Sequence, residues 1–192
     1  ENSIFDNAGS SLFIKDRFTD EYTYIISLLN SKLVNYILPV INPTLNYQPG
    51  TIAKVPILFS KKIDISIVNE CIDISKIDWD SRETSWDFQQ NELIRCKSNC
   101  GQNCADIDLL SNEDRDEILE IEKIPTDSNL LEDCYEAYKS KWTKMFFQLH
   151  RNEEELNRQF IEIYGLQDEL TPDVPLEEIT ILQEETTIEN GE

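Results

Sequence analysis

"NLLEDCYEAYKSKWTKMFFQLHRNEEELNRQFIEIYG", Asn129 to Gly165, is the stretch on which the fold turns. Leu131, Tyr135, Tyr138, Trp142, Met145, Leu149 and Leu156 alternate steps of four and three, and Ile163 continues the series after Asn152 and Gln159 interrupt it. That spacing puts one apolar seam along a helix of about ten turns. Asn129 is placed to cap it, with Glu132 three residues on, and Gly165 to end it. Phe146 and Phe160 widen the seam, so the helix is expected to pack against more than one thin partner. It reads as a rigid spacer.

Upstream, residues 19–38 read as a second helix. Thr19 can cap it, Asp20 and Glu21 suit the positive end of the helix dipole, and apolar residues recur from Tyr22 to Leu38. Pro39 is expected to stop it. Pro43, Pro49 and Gly50 then cut the chain into short extended pieces, one at Leu45–Gln48 and one, an edge strand, at Val55–Phe59. Residues 63–74 fit a further helix. Asp80-Ser-Arg-Glu83 has the spacing of a capping box, and Trp79, Trp86 and Phe88 beside it are expected to lock a turn by burial.

These readings give an α+β, mainly α-helical chain, a small α/β end followed by a long-helix spacer region. The expected divisions are 1–62, 63–90 (helix and Trp-rich turn), 91–126 (acidic Cys-containing insertion with one short helix after Ser111), 127–166 (spacer helix) and 167–192 (acidic, partly disordered tail). Starting at Glu1 without Met, the chain is expected to be part of something larger.

Charge divides the chain. Of the net −21, residues 1–62 contribute +1 and the remainder −22. A surface that acidic repels phosphate, so any nucleic-acid contact belongs to the first part. The candidates are Lys15, Arg17, Lys32, Lys54, Lys61 and Lys62. The greasiest region, Tyr24–Ile41, is interrupted by Ser27, Asn30, Ser31, Lys32, Asn35 and Pro39, so no membrane span and a cytoplasmic location are expected.

Few residues suggest chemistry. Cys96, Cys100 and Cys104 recur every four residues, a spacing that matches neither zinc-ribbon clips nor a radical iron–sulfur site, which leaves them weak metal candidates. The five cysteines, with no secretory signal, suit a reducing compartment. His150, the sole histidine, is expected at the surface, and Glu153-Glu154-Glu155 are expected to fan apart into solvent. Asn42-Pro43 resembles the opening of the Asn-Pro-Pro-Tyr loop of amino-methyltransferases of DNA, but Thr44 and Leu45 follow. The five glycines stand singly, so no turn can cradle a nucleotide.

Three stretches in order, "LLNSKLVNYILPVINPTLNYQPGTIAKVPI" (28–57), "SKIDWDSRETSWDF" (75–88) and "NEEELNRQFIEIYGLQDELTPDV" (152–174), resemble the large PglX-like adenine-specific DNA methyltransferases of bacteriophage-exclusion (BREX) systems and related fused restriction–modification enzymes. The first also resembles the end of target-recognition domains in type I specificity subunits and TaqI-like enzymes. The resemblance implies a parent that methylates adenine N6 with S-adenosylmethionine in phage defence. Within it this chain would hold no catalytic or cofactor site: Leu29–Leu33 would be a packing helix and Asn42–Ile57 a closing segment. Double-stranded DNA, through the parent, and other defence components would be its partners. Residues 91–126 have no assigned role in that scheme. The competing expectation is an acidic interaction module that binds a basic partner or mimics nucleic acid.

Overall fold

The computed structural model describes residues 13, 21–42, 49–99 and 131–182, without the side chains of 96–99 and 131. Thr19, Leu45–Gln48, Cys100, Cys104 and the helix expected after Ser111 lie outside them. The described residues are mainly helical: α1 (Tyr22–Leu29), α2 (Lys32–Ile41), α3 (Pro49–Ile52), α4 (Ile65–Asp80), α5 (Glu92–Asn99), α6 (Leu131–Tyr164) and a 3-10 turn at Leu176–Glu178. They contain no strand.

The chain divides into two compact units. The first is bounded by Glu1–Cys71 and His150–Glu178, and the second by Ile72–Leu149 and Ile179–Glu192, so α4 and α6 each contribute to both.

In the first unit, Tyr24, Leu28, Leu33, Val34, Leu38, Val55, Ile63, Val68, Leu156 and Phe160 form one buried cluster. Leu28 and Phe160 are wholly enclosed, each worth about 2–3 kcal/mol of apolar burial. The helix expected over 19–38 is two helices bent by 68° at Asn30-Ser31. Here side chains compete with the helix: Asn30 Nδ2 donates to Ile26 O at 2.8 Å and Ser31 Oγ to Leu28 O at 2.7 Å, while Ser31 adopts extended backbone. With Ser31 turned back, the first amide of α2 is capped from a distance. Asn157 on α6 accepts from Lys32 N at 2.9 Å.

Pro39 does not stop α2, which runs on to Ile41. So close to the helix end, the missing proline N–H removes one bond, to the exposed Asn35 region, and the last turn still closes through Asn42 N to Leu38 O at 2.8 Å.

The expected edge strand at Val55–Phe59 is extended but unpaired with any strand. Two tyrosine hydroxyls replace the ladder. Tyr164 donates to Pro56 O at 2.6 Å and accepts from Leu58 N at 3.0 Å, and Tyr24 donates to Leu58 O at 2.6 Å. Along the edge formed by Pro56 and Leu58, the backbone groups a neighbouring strand would satisfy are therefore already bonded.

Residues 63–74 do enter a helix, but α4 starts at Ile65 and reaches Asp80. Asp64 Oδ1 accepts from Ser66 N at 2.9 Å, a local cap, and Asp64 N donates to Gln159 Oε1 on α6 at 3.0 Å. Asp64's carboxyl is held below its usual range by Ser66's hydroxyl and amide.

In the second unit, Ile74, Cys134, Trp142, Phe146, Leu149, Ile179, Ile181 and Leu182 are buried. Lys141 Nζ reaches Glu92 at 2.8 Å and Leu182 N donates to Asp78 Oδ1 at 3.3 Å. Two expectations fail here. Asp80 ends α4 instead of opening a helix, and its Oδ1 takes Ser85 Oγ at 2.7 Å, so the capping-box spacing is coincidental. Trp79 and Trp86 are 57% and 91% exposed, because the turns 79–82 and 82–85 close through backbone bonds and need no aromatic plug.

The long helix is present, Leu131–Tyr164, ended by Gly165 at φ +68°, the left-handed region that favours glycine. Its buried stripe includes Trp142, Phe146, Leu149, Leu156 and Phe160, whereas Tyr135 is half exposed and Cys134 takes the inward place.

Candidate functional site

The first unit holds two candidate features: the lysines nominated for DNA, and a polar clasp on α6. Lys15 and Arg17 lie outside the described residues. Lys32 follows the α1–α2 bend, and its ammonium donates to Asp173 O at 2.8 Å. Lys62 precedes α4 and pairs with Glu162 at 2.8 Å, holding that carboxyl below its usual range. That pair is well exposed and contributes little to stability. Lys54, after α3, and Lys61 are exposed. Of the weak metal candidates, only the backbone of Cys96, in α5, is described, and Cys71 and Cys134 form no disulfide among the described residues. Among the described residues no three His, Cys, Asp or Glu side chains converge as a metal site would require.

The clasp is assembled from the α6 residues His150, Glu154 and Asn157. His150 Nε2 donates to Val174 O at 2.8 Å and lies 3.4 Å from Glu154, whose Oε1 accepts from Val174 N at 3.1 Å. Asn157 Nδ2 reaches Pro172 O at 3.4 Å. Residues 172–174 are thus strapped to α6 by their backbone, and His150 is a buckle in that strap where a surface histidine was expected.

Glu153, Glu154 and Glu155 do fan apart, but to separate anchors instead of solvent. Glu154 takes Val174, while Glu155 accepts from Arg158 Nε at 2.8 Å and from Gln159 at 2.7 Å, which lowers its carboxyl. Glu153 is partly buried. Burial raises its carboxyl to about 7, with Glu178 adding repulsion and His150 opposing it.

Beneath it, burial and then Glu153 and Glu70 push the Cys71 thiol to about 12. Asn152 Nδ2 donates to Glu70 Oε2 at 2.6 Å. A thiol so raised is a poor nucleophile at neutral pH, and the His150 ring is committed to a backbone carbonyl. What the cluster does is hold α4, α6 and the strap in one arrangement. Asn152 and Gln159 were legible as polar breaks in the seam, whereas Asn157 and the partners of all three were not.

No protein-family model matches the chain. Two curated proteins are similar to it. Over 120 residues, 62% of this chain, it is 32% identical to the adenine-specific methyltransferase BrxX of Escherichia coli O9:H4 (strain HS). Over 179 residues, 93% of this chain, it is 27% identical to the adenine-specific methyltransferase PglX of Lacticaseibacillus casei (strain Zhang). The matched regions are 10% and 13% of those proteins, so the chain spans about a tenth of the length of each. The chain is related to the PglX-like adenine-specific methyltransferases of BREX systems.

Proposed function

We propose that this chain is a non-catalytic recognition and spacer segment of a site-specific adenine-N6 DNA methyltransferase acting in phage defence or restriction–modification. The observation that carries this reading is the way α6 works as a strut. Asn157 caps α2, Gln159 holds the start of α4, Tyr164 binds the extended 56–58 segment, and His150 with Glu154 fastens the strap. A helix that fixes four other segments through geometrically demanding bonds sets distances, as a spacer between a recognition element and a catalytic body must. The likeness to BrxX and PglX supports the methyltransferase context.

On this reading residues 1–62 are the end of a target-recognition domain, 127–166 the spacer, and double-stranded DNA and other components of the defence system the partners, in the cytoplasm. Among the described residues no single helix is long and apolar enough to cross a membrane. Lys54 and Lys61, exposed, are the foremost phosphate contacts, with Lys32 and Lys62 available by exchanging Asp173 O and Glu162 for phosphate.

S-adenosylmethionine belongs elsewhere in such an enzyme. Gly50 lies within the four-residue α3 and Gly165 caps α6, so neither forms the strand-to-helix glycine turn that would hold the cofactor. The described residues do not fit that group.

The test is a fluorescence-anisotropy titration of labelled duplex DNA with the chain and with a full-length relative. Weak, strongly salt-dependent binding that Lys54→Ala and Lys61→Ala reduce together is expected, far below that of the full-length enzyme. Methyl transfer by this chain alone would overturn the non-catalytic assignment, and affinity unaffected by both lysine variants would overturn the DNA contacts.

A further inference from the structure

The second unit carries a feature that the DNA reading leaves unused. Trp86 is 91% exposed and Trp79 57%. A folded protein seldom leaves such an area of indole in water, and tryptophan is enriched among the residues that anchor protein interfaces. The two occupy one corner, where the end of α4 turns through Arg82 N to Trp79 O and Ser85 N to Arg82 O. Ser85 bonds Asp80 and also accepts from Asp87 N, so the corner has a fixed form and the tryptophans are displayed from a built turn.

The same corner borders a cleft of about 630 Å³, lined by Asp73, Lys76, Ile77, Asp80 and Asp87 among others. Its charge is negative on balance. Asp78 is paired with Arg82, and Glu92 with Lys141 and Arg95. Asp73, Asp87 and the nearby exposed Glu83 have no ion pair among the described residues, and Lys76 is the one cation in the cleft that has none either.

We infer that this cleft, whose lining residues Asp80 and Asp87 directly follow the exposed Trp79 and Trp86 in the chain, docks an arginine-bearing basic segment of another protein surface. Charge complementarity selects the occupant. Unpaired carboxylates repel nucleic acid and other acidic surfaces, while a guanidinium can pair with carboxylates and stack on indole at once. A chain of net −21 would gather any cation loosely; the tryptophans are what make one corner specific. The inference stands independently of whether residues 1–62 touch DNA.

The probe is a fluorescein-labelled dodecapeptide of alternating arginine and glycine, titrated by anisotropy with the full 192-residue chain at about 0.15 M salt. Lysine and glutamate counterparts serve as controls. The arginine peptide is expected to bind best and the glutamate peptide not at all. Trp86→Ala and Trp79→Ala should each weaken the arginine peptide about fivefold. Asp87→Asn should weaken it as well, while Glu177→Gln, an exposed acid of the first unit, should leave it unchanged. Both tryptophans are largely in solvent, so these variants fold; circular dichroism verifies it.

Equal loss from Glu177→Gln and Asp87→Asn, or none from the tryptophan variants, means diffuse polyanion attraction and overturns the site. Self-association of the wild-type chain that Trp86→Ala abolishes makes the occupant a second copy and overturns it too.

Discussion

Replacing Glu153 by glutamine isolates the energetic consequence of a partly buried carboxyl on α6. Burial raises its pKa from the ordinary 4.5 to about 7. A raised carboxyl binds its proton more tightly folded than unfolded, so its contribution to stability is full below about pH 4.5 and is lost as pH rises through about 7. The shift corresponds to about 3 kcal/mol, and about 2 kcal/mol after allowing for the solvent that still reaches the group.

Glu153→Gln keeps the shape and removes the titration. The variant should match the wild type near pH 4.5 and exceed it by about 2 kcal/mol at pH 8, a rise in Tm of about 4–8 °C for a chain of this size. Thermal unfolding followed by circular dichroism at the two pH values reads both. A gain of the same size at both, or no gain at pH 8, would refute the assignment of a buried, proton-holding Glu153.

Asn157→Ala removes the acceptor of Lys32 N and the donor to Pro172 O, so denaturant unfolding should show a loss of about 1–3 kcal/mol, the cost of a cap plus a stranded buried amide. Tyr164→Phe should cost about 1 kcal/mol, and hydrogen exchange should locate the effect as faster exchange at the Leu58 amide, which loses its acceptor. For Cys71, whose thiol is pushed to about 12, peptide mapping after iodoacetamide at pH 8 should find native-state labelling about a thousandfold slower than in denaturant; equal rates would contradict the burial.

The long helix was readable because its information is local. A 3.6-residue period over nine turns and a glycine at the point where the backbone must turn left-handed both reside in contiguous residues, and α6 ends at Tyr164 before Gly165 as that pattern requires. The break at Asn30-Ser31 was half readable. Both residues are known competitors of the helix, but whether they win depends on Asn157, 125 residues away, offering α2 a new start. The edge strand at Val55–Phe59 failed for the converse reason. Its sequence favours extension, and it is extended, but Tyr24 and Tyr164 occupy the backbone groups that a strand would need.

By itself, then, the sequence determined the mainly helical character, the long helix ending before Gly165, the acidic remainder and the likeness to adenine-specific methyltransferases, since all four follow from composition, period and contiguous motifs. Only the tertiary structure decided which polar residues do work. His150, Glu153, Asn157 and Tyr164 look like ordinary interruptions of a helix face, and their roles come from a strap, a thiol, a helix end and an extended segment brought to them across the chain. Hydrogen bonding and desolvation depend on distance in space, and the amphipathic period fixes only which side of the helix those encounters occur on.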